Sequence, residues 1–81
     1  MDEFNTYAGK IKDTKPNMSQ EQGEQIYGLF KQANSGDCNI ADPADGGMGT
    51  NKFNAWTAQK GKSNEDAATE YVALAKTLLG E

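Results

Sequence analysis

The chain has 81 residues, a formal net charge of -4, eight lysines, and neither arginine nor histidine. A chain this short makes one domain with a limited core, residues 1–81. Its charge balance excludes a broad basic surface for nucleic acid, and the absence of histidine removes the commonest general base and the usual zinc ligand. No apolar run is long enough to cross a bilayer, and Met1-Asp2-Glu3 does not begin a basic-then-apolar leader, so the chain is expected neither to span a membrane nor to be secreted. The single Cys38 cannot form an intramolecular disulfide and fits a reducing compartment, with the cytoplasm as the expected location. On that reading the Asn17-Met18-Ser19 sequon is a coincidence of composition.

Taken in chain order, four helical patterns appear and no stretch alternates with the period of a strand, which predicts an all-α fold. The first helix, roughly Asp2 to Asp13, carries Phe4, Tyr7, Ala8 and Ile11 on one face, and Pro16 marks the break after it. Ser19 with Gln22 reads as a capping box opening a second helix that runs to about Ala33, with Gly36 as its stop. Ile26, Leu29, Phe30 and Ala33 form that helix's core-facing stripe, while Tyr27 and Lys31, four apart, share a face at its edge and can grip an anion. Ser35 to Gly49 is rich in Gly, Asp, Asn and Pro and reads as a long loop. Thr50 is positioned to cap a short third helix through about Lys60, with Phe53 and Trp56 facing inward and Gly61 ending it. Ser63 and Asp66 form a second capping signature. The long stripe of Ala68, Tyr71, Val72, Ala75, Leu78 and Leu79 follows it on the fourth helix.

Several motifs fail on inspection. Asp37-Cys38-Asn39 begins like a calcium loop, but Ala41, Asp42 and Met48 stand where a ligand, the turn glycine and the closing glutamate are required. Gly61-Lys62-Ser63 ends like a phosphate loop, yet the pattern's first glycine falls on Trp56 and no strand precedes it. Cys38 lies beside Asp37 with no base nearby in sequence, so nothing lowers its pKa. Gly46-Gly47-Met48-Gly49 reads as a connector, and Trp56 as a core aromatic. Taken singly, Lys31 and Lys52 are solvated helical charges and Tyr27 is the border of an apolar stripe.

Two longer blocks give those residues a second meaning: Tyr27-Gly28-Leu29-Phe30-Lys31-Gln32-Ala33 with Gly36-Asp37, and Lys52-Phe53-Asn54-Ala55-Trp56 with Lys60-Gly61-Lys62-Ser63-Asn64-Glu65-Asp66-Ala67 and Tyr71-Val72. Together they closely resemble the acyl-CoA-binding protein family, and the likeness runs from Phe4 to Leu79. The resemblance implies an up-down-down-up four-helix bundle, one acyl-CoA-binding domain, that acts as a carrier and buffer of medium- and long-chain acyl-CoA esters. It implies no enzyme activity, no metal and no cofactor beyond the long-chain acyl-CoA ligand. Carried over by position, Tyr27, Lys31 and Lys52 contact the 3'-phosphate, Phe30 stacks on adenine, Tyr71 borders the nucleotide and Lys12 lies near the head group. Gly28 and Leu29 complete the ligand-binding set, and the acyl chain is expected between the second and third helices, over Leu29 and the residues near Gln25 and Ile26. The implied protein is a monomer that hands acyl-CoA to the enzymes that use it and touches membranes at most transiently. Asp42, Thr50 and the shortened 43–52 stretch depart from the family pattern and make the entrance to the third helix less cationic. Asp42, Thr50 and the net charge of -4 motivate an alternative, an interaction module of the same fold with weakened or lost ligand binding.

Overall fold

The computed structural model describes residues 2–40 and 49–81. Asp42 and the glycines at 46 and 47 lie outside the described residues. Four helices follow in order: α1 (Asp2–Thr14), α2 (Gln20–Ser35), α3 (Thr50–Thr57) and α4 (Asn64–Leu79). The described residues contain no strand. α2 is the centre of the arrangement, packing on α4 along one side and on α3 along the other, while α1 closes over α4.

The helix boundaries follow from local chemistry. Lys15 takes a positive φ of 48° with its N–H on the Ile11 carbonyl, which closes α1 before Pro16. The Ser19 hydroxyl accepts from the Gln22 N–H at 3.1 Å while the Gln22 side chain accepts from the Ser19 N–H at 2.9 Å, so both halves of the capping box form. Gly36, at φ 76°, ends α2 two residues later than the periodicity predicts, at Ser35 rather than Ala33. α3 departs from expectation at both ends. Thr50 is its first helical residue and not its cap; Gly49 takes the cap position, its carbonyl accepting from Phe53 N–H, with no side chain satisfying the first turn. The helix stops at Thr57 instead of Lys60, because Gln59 and Lys60 bond back three residues, to Trp56 and Thr57, and tighten the chain into turns.

The core forms where the stripes of α1, α2 and α4 meet: Phe4, Tyr7, Ile26, Leu29, Ala33, Ala67, Ala68, Tyr71, Val72 and Ala75. Leu78 and Leu79, expected in the stripe, are half-buried at its edge. A polar clamp fixes the far end of α2. The fully buried Gln32 donates through Nε2 to Asp37 Oδ1 and to the Lys62 carbonyl, both at 2.8 Å, and the Gly61 N–H donates to the same Asp37 oxygen. Trp56, also buried, donates its Nε1–H to the Gly36 carbonyl at 2.8 Å. These bonds tie α3 and the turn before α4 to the end of α2, which fixes where the side chains of α3 point.

Candidate ligand-binding site

Gly28 determines how close α3 can come. A Cβ at this position would lie 2.2 Å from the Ala55 carbonyl oxygen, so the two helices meet here backbone to backbone. One consequence is that side chains flanking Gly28 on α2 reach those flanking Ala55 on α3. Lys52 Nζ lies 5.3 Å from the centre of the Tyr27 ring, and Lys31 Nζ lies 4.6 Å from that of Trp56. The seam thus carries two ammonium groups, each resting on an aromatic face that attracts cations through its quadrupole. Tyr27 and Lys31 share a face of α2 as their spacing predicts, but each pairs across the seam rather than with the other.

Beside this seam, between α1 and α2, opens a cavity of about 510 Å³. Its lining is apolar apart from Lys12 and Lys52, and includes Ala8, Ile11, Ile26 and the rings of Tyr27, Phe30 and Tyr71. Phe30 is 39% exposed, the exposed large hydrophobic side chain among the described residues. It is set by two buried aromatics: its ring lies 5.9 Å from Phe4 in a stacked orientation and 6.2 Å from Tyr71, and Phe4 meets Tyr71 edge-on at 5.0 Å. Burial pushes the Tyr71 phenol above its ordinary pKa, so it stays neutral and can donate a hydrogen bond. An apolar chamber with an aromatic shelf and exposed lysines suits a ligand that is part anion and part flat or aliphatic.

The cavity gathers Lys12, Tyr27, Phe30, Lys52 and Tyr71 from all four helices. Lys31 stays on the seam over Trp56, outside the cavity lining. Gly28 and Leu29 are elsewhere. Leu29 is 1% exposed, within the core, and Gly28 is buried against Ala55, so both support the site by packing and neither presents a surface to a ligand. The expected acyl path between α2 and α3 holds a smaller cleft, of about 300 Å³, whose mostly apolar surface includes Ala55 and Ala58, with Glu24, Gln25, Asn51, Asn54 and Gln59 around it. Gly9 and Gly23 line the larger cavity and are not singled out by the sequence patterns. Their signal lies in their position, as glycines inside helical patterns with no turn to make.

A family model described as Acyl CoA binding protein matches residues 1–75. The acyl-CoA-binding protein of Dictyostelium discoideum is 43% identical over 79 residues, covering 96% of this chain and 94% of that protein. That of Ricinus communis is 38% identical over 81 residues, covering 99% and 90%. Among solved structures, the crystal structure of Oryza sativa acyl-CoA-binding protein 2 superposes with a TM-score of 0.83 at 34% identity, covering 98% of this chain and 89% of that one. A matched family model over nearly the whole length, relatives of this identity and a shared four-helix fold place the chain in the acyl-CoA-binding protein family.

Proposed function

We propose that this protein binds medium- and long-chain acyl-CoA esters one to one and carries and buffers them, without catalysing their conversion. The observation that carries the reading is the apolar cavity bearing Lys12 and Lys52 beside a seam that bears Lys31, in a chain of this family. Lys31 and Lys52, with the Tyr27 hydroxyl, are assigned to the 3'-phosphate. Phe30 offers a preset stacking face for adenine, Tyr71 borders it and Lys12 reaches the head group. Phe30 lacks a hydroxyl, and stacking does not need one. Burial of about ten methylenes supplies at most roughly 8 kcal/mol of transfer free energy before the costs of association, so charge orients the ligand and the chain supplies most of the affinity. The chain contains no histidine. No group of metal-ligating residues occurs among the described residues. The carrier reading assigns its residues to binding alone.

The same reading makes the protein a cytoplasmic monomer that delivers its ligand to acyl-CoA-using enzymes and meets membranes transiently. No helix among the described residues is long and apolar enough to cross one. Trp56 is the chain's single tryptophan and lies under Lys31. Its fluorescence should therefore respond when a phosphate draws the lysine away. Saturable change on titration with palmitoyl-CoA below its micelle concentration, and a much weaker response to palmitate, is expected. Equal responses to thioester and free acid would contradict the head-group assignment.

A further inference from the structure

α1 and α4 run in the same direction, since Glu3 reaches Lys76 at 3.6 Å and Lys10 reaches Glu81 at 3.4 Å, so both helices start at one end of the molecule. A groove of about 300 Å³ opens between them there, separate from the lysine-bearing cavity. Phe4, Ala68 and Val72, all buried, make its apolar floor, and the exposed Glu3, Glu65 and Thr69 stand around it. Asp2, Glu3, Glu65 and Asp66 put four carboxylates in the first turns of the two helices. Acidic residues there complement the helix dipoles, but the two helix starts together supply only about one positive charge, and Lys76 offsets one more. An excess of about two negative charges remains around an apolar floor.

That combination selects its occupant by charge. Nucleic acid and an anionic lipid surface are repelled, whereas a lysine or arginine can lay its aliphatic stem on the floor and set its charged head between the carboxylates. We propose that the α1–α4 groove is a docking surface for a partner protein that presents a lysine or arginine beside an aliphatic side chain. The groove and the lysine-bearing cavity share no lining residue, so a partner seats here while the cavity is filled. Phe4 stands between the two, on the floor of the groove and against the Phe30 and Tyr71 rings of the cavity wall. That the partner is an acyl-CoA-using enzyme rests on the acyl-CoA reading above; the docking itself does not. Contacts to exposed carboxylates are weak and salt-sensitive, which suits an encounter that must end after delivery.

The test is amide-resolved nuclear magnetic resonance of the full chain, titrated with the acetylated peptide amide Arg-Leu-Leu-Arg, with Glu-Leu-Leu-Glu and spermine as controls. The expected result is saturable shifts at the amides of Phe4, Glu65, Ala68, Thr69 and Val72 with the basic peptide, the same with palmitoyl-CoA bound. Glu65→Gln should weaken that binding about two- to fivefold, and about 0.5 M sodium chloride should largely abolish it. Glu21→Gln, on α2 and outside the groove, should leave it unchanged, with melting temperatures showing that both variants fold. No saturable shift with millimolar peptide, an equal response to the acidic peptide, or wild-type affinity in Glu65→Gln overturns the inference. An equal response to spermine also overturns it, because the apolar floor would then play no part. Concentration-dependent shifts at the same amides without peptide overturn it too, and make the occupant a second copy of this chain. Loss of peptide binding in the palmitoyl-CoA complex would overturn the simultaneous seating. Failure of palmitoyl-CoA to bind would instead overturn the functional reading, while the result in the unloaded protein would still decide the docking.

Discussion

Lys31 and Lys52 hold their ammonium groups 4.6 and 5.3 Å from the ring centres of Trp56 and Tyr27. Lys52 is exposed and Lys31 half-buried; near the surface such contacts contribute about 0.5–1 kcal/mol, so they orient the lysines without committing them to the fold. Lys31→Ala should therefore weaken acyl-CoA binding about tenfold or more while lowering unfolding free energy by at most about 1 kcal/mol. Titration paired with urea denaturation checks both, and equal losses would make Lys31 a structural residue. Gly28→Ala should do the opposite. With 2.2 Å between the added carbon and the Ala55 carbonyl oxygen, α3 must move, and a destabilisation of about 1–3 kcal/mol in urea is expected. The Tyr27 and Lys31 face is legible in the sequence because spacing of four on one helix is a local property. The partners across the seam are not, because they depend on where α3 docks. The resemblance assigns Gly28 to the ligand, and the structure shows it packed against the Ala55 backbone.

Capping signals are the most legible features at the level of elements. Ser19 and Gln22 satisfy each other's backbone as their spacing predicts, and the Ser63 hydroxyl accepts from Asp66 N–H at 3.0 Å. Ser19→Ala should cost about 0.5–2 kcal/mol, measured by thermal or urea unfolding. The third helix is less legible: its last turn tightens into three-residue turns, and its position is set by long-range bonds. Trp56 is anchored to Gly36 and Gly61 to Asp37, partners 20 and 24 residues away in sequence. The Asp37 carboxyl is held below its ordinary pKa of 3.8, first by the Gly61 N–H and then by the Gln32 amide. A carboxylate whose folded pKa is depressed contributes stability that is present above the unfolded value and is lost as pH falls through the folded one. Melting temperature should accordingly drop as pH is lowered below about 4, and Asp37→Asn should flatten that part of the profile. An unchanged acid limb in the variant would show that the clamp does not depend on the charge.

Across the whole molecule, α1 is fastened to the end of α4 by Tyr7, whose hydroxyl donates to Glu81 Oε1 at 2.5 Å, with Lys10 Nζ 3.4 Å from the other carboxylate oxygen. The all-α class and the order of four helices can be read from periodicity and punctuation, since each stripe needs a partner and only packed helices supply one. The chamber cannot. Its walls come from all four helices, and Gly9 and Gly23, which line it, leave no apolar mark in the sequence. With a formal net charge of -4, the molecule as a whole repels an anion, so capture must depend on Lys12, Lys31 and Lys52 acting locally. The most direct measurement is calorimetric titration of the purified protein with palmitoyl-CoA below its micelle concentration, with coenzyme A and palmitate as controls. Tight one-to-one binding by the thioester, with coenzyme A and palmitate each far weaker, is the predicted result. No heat and no shift in melting temperature with palmitoyl-CoA would contradict it and leave a helical interaction module in place of a carrier.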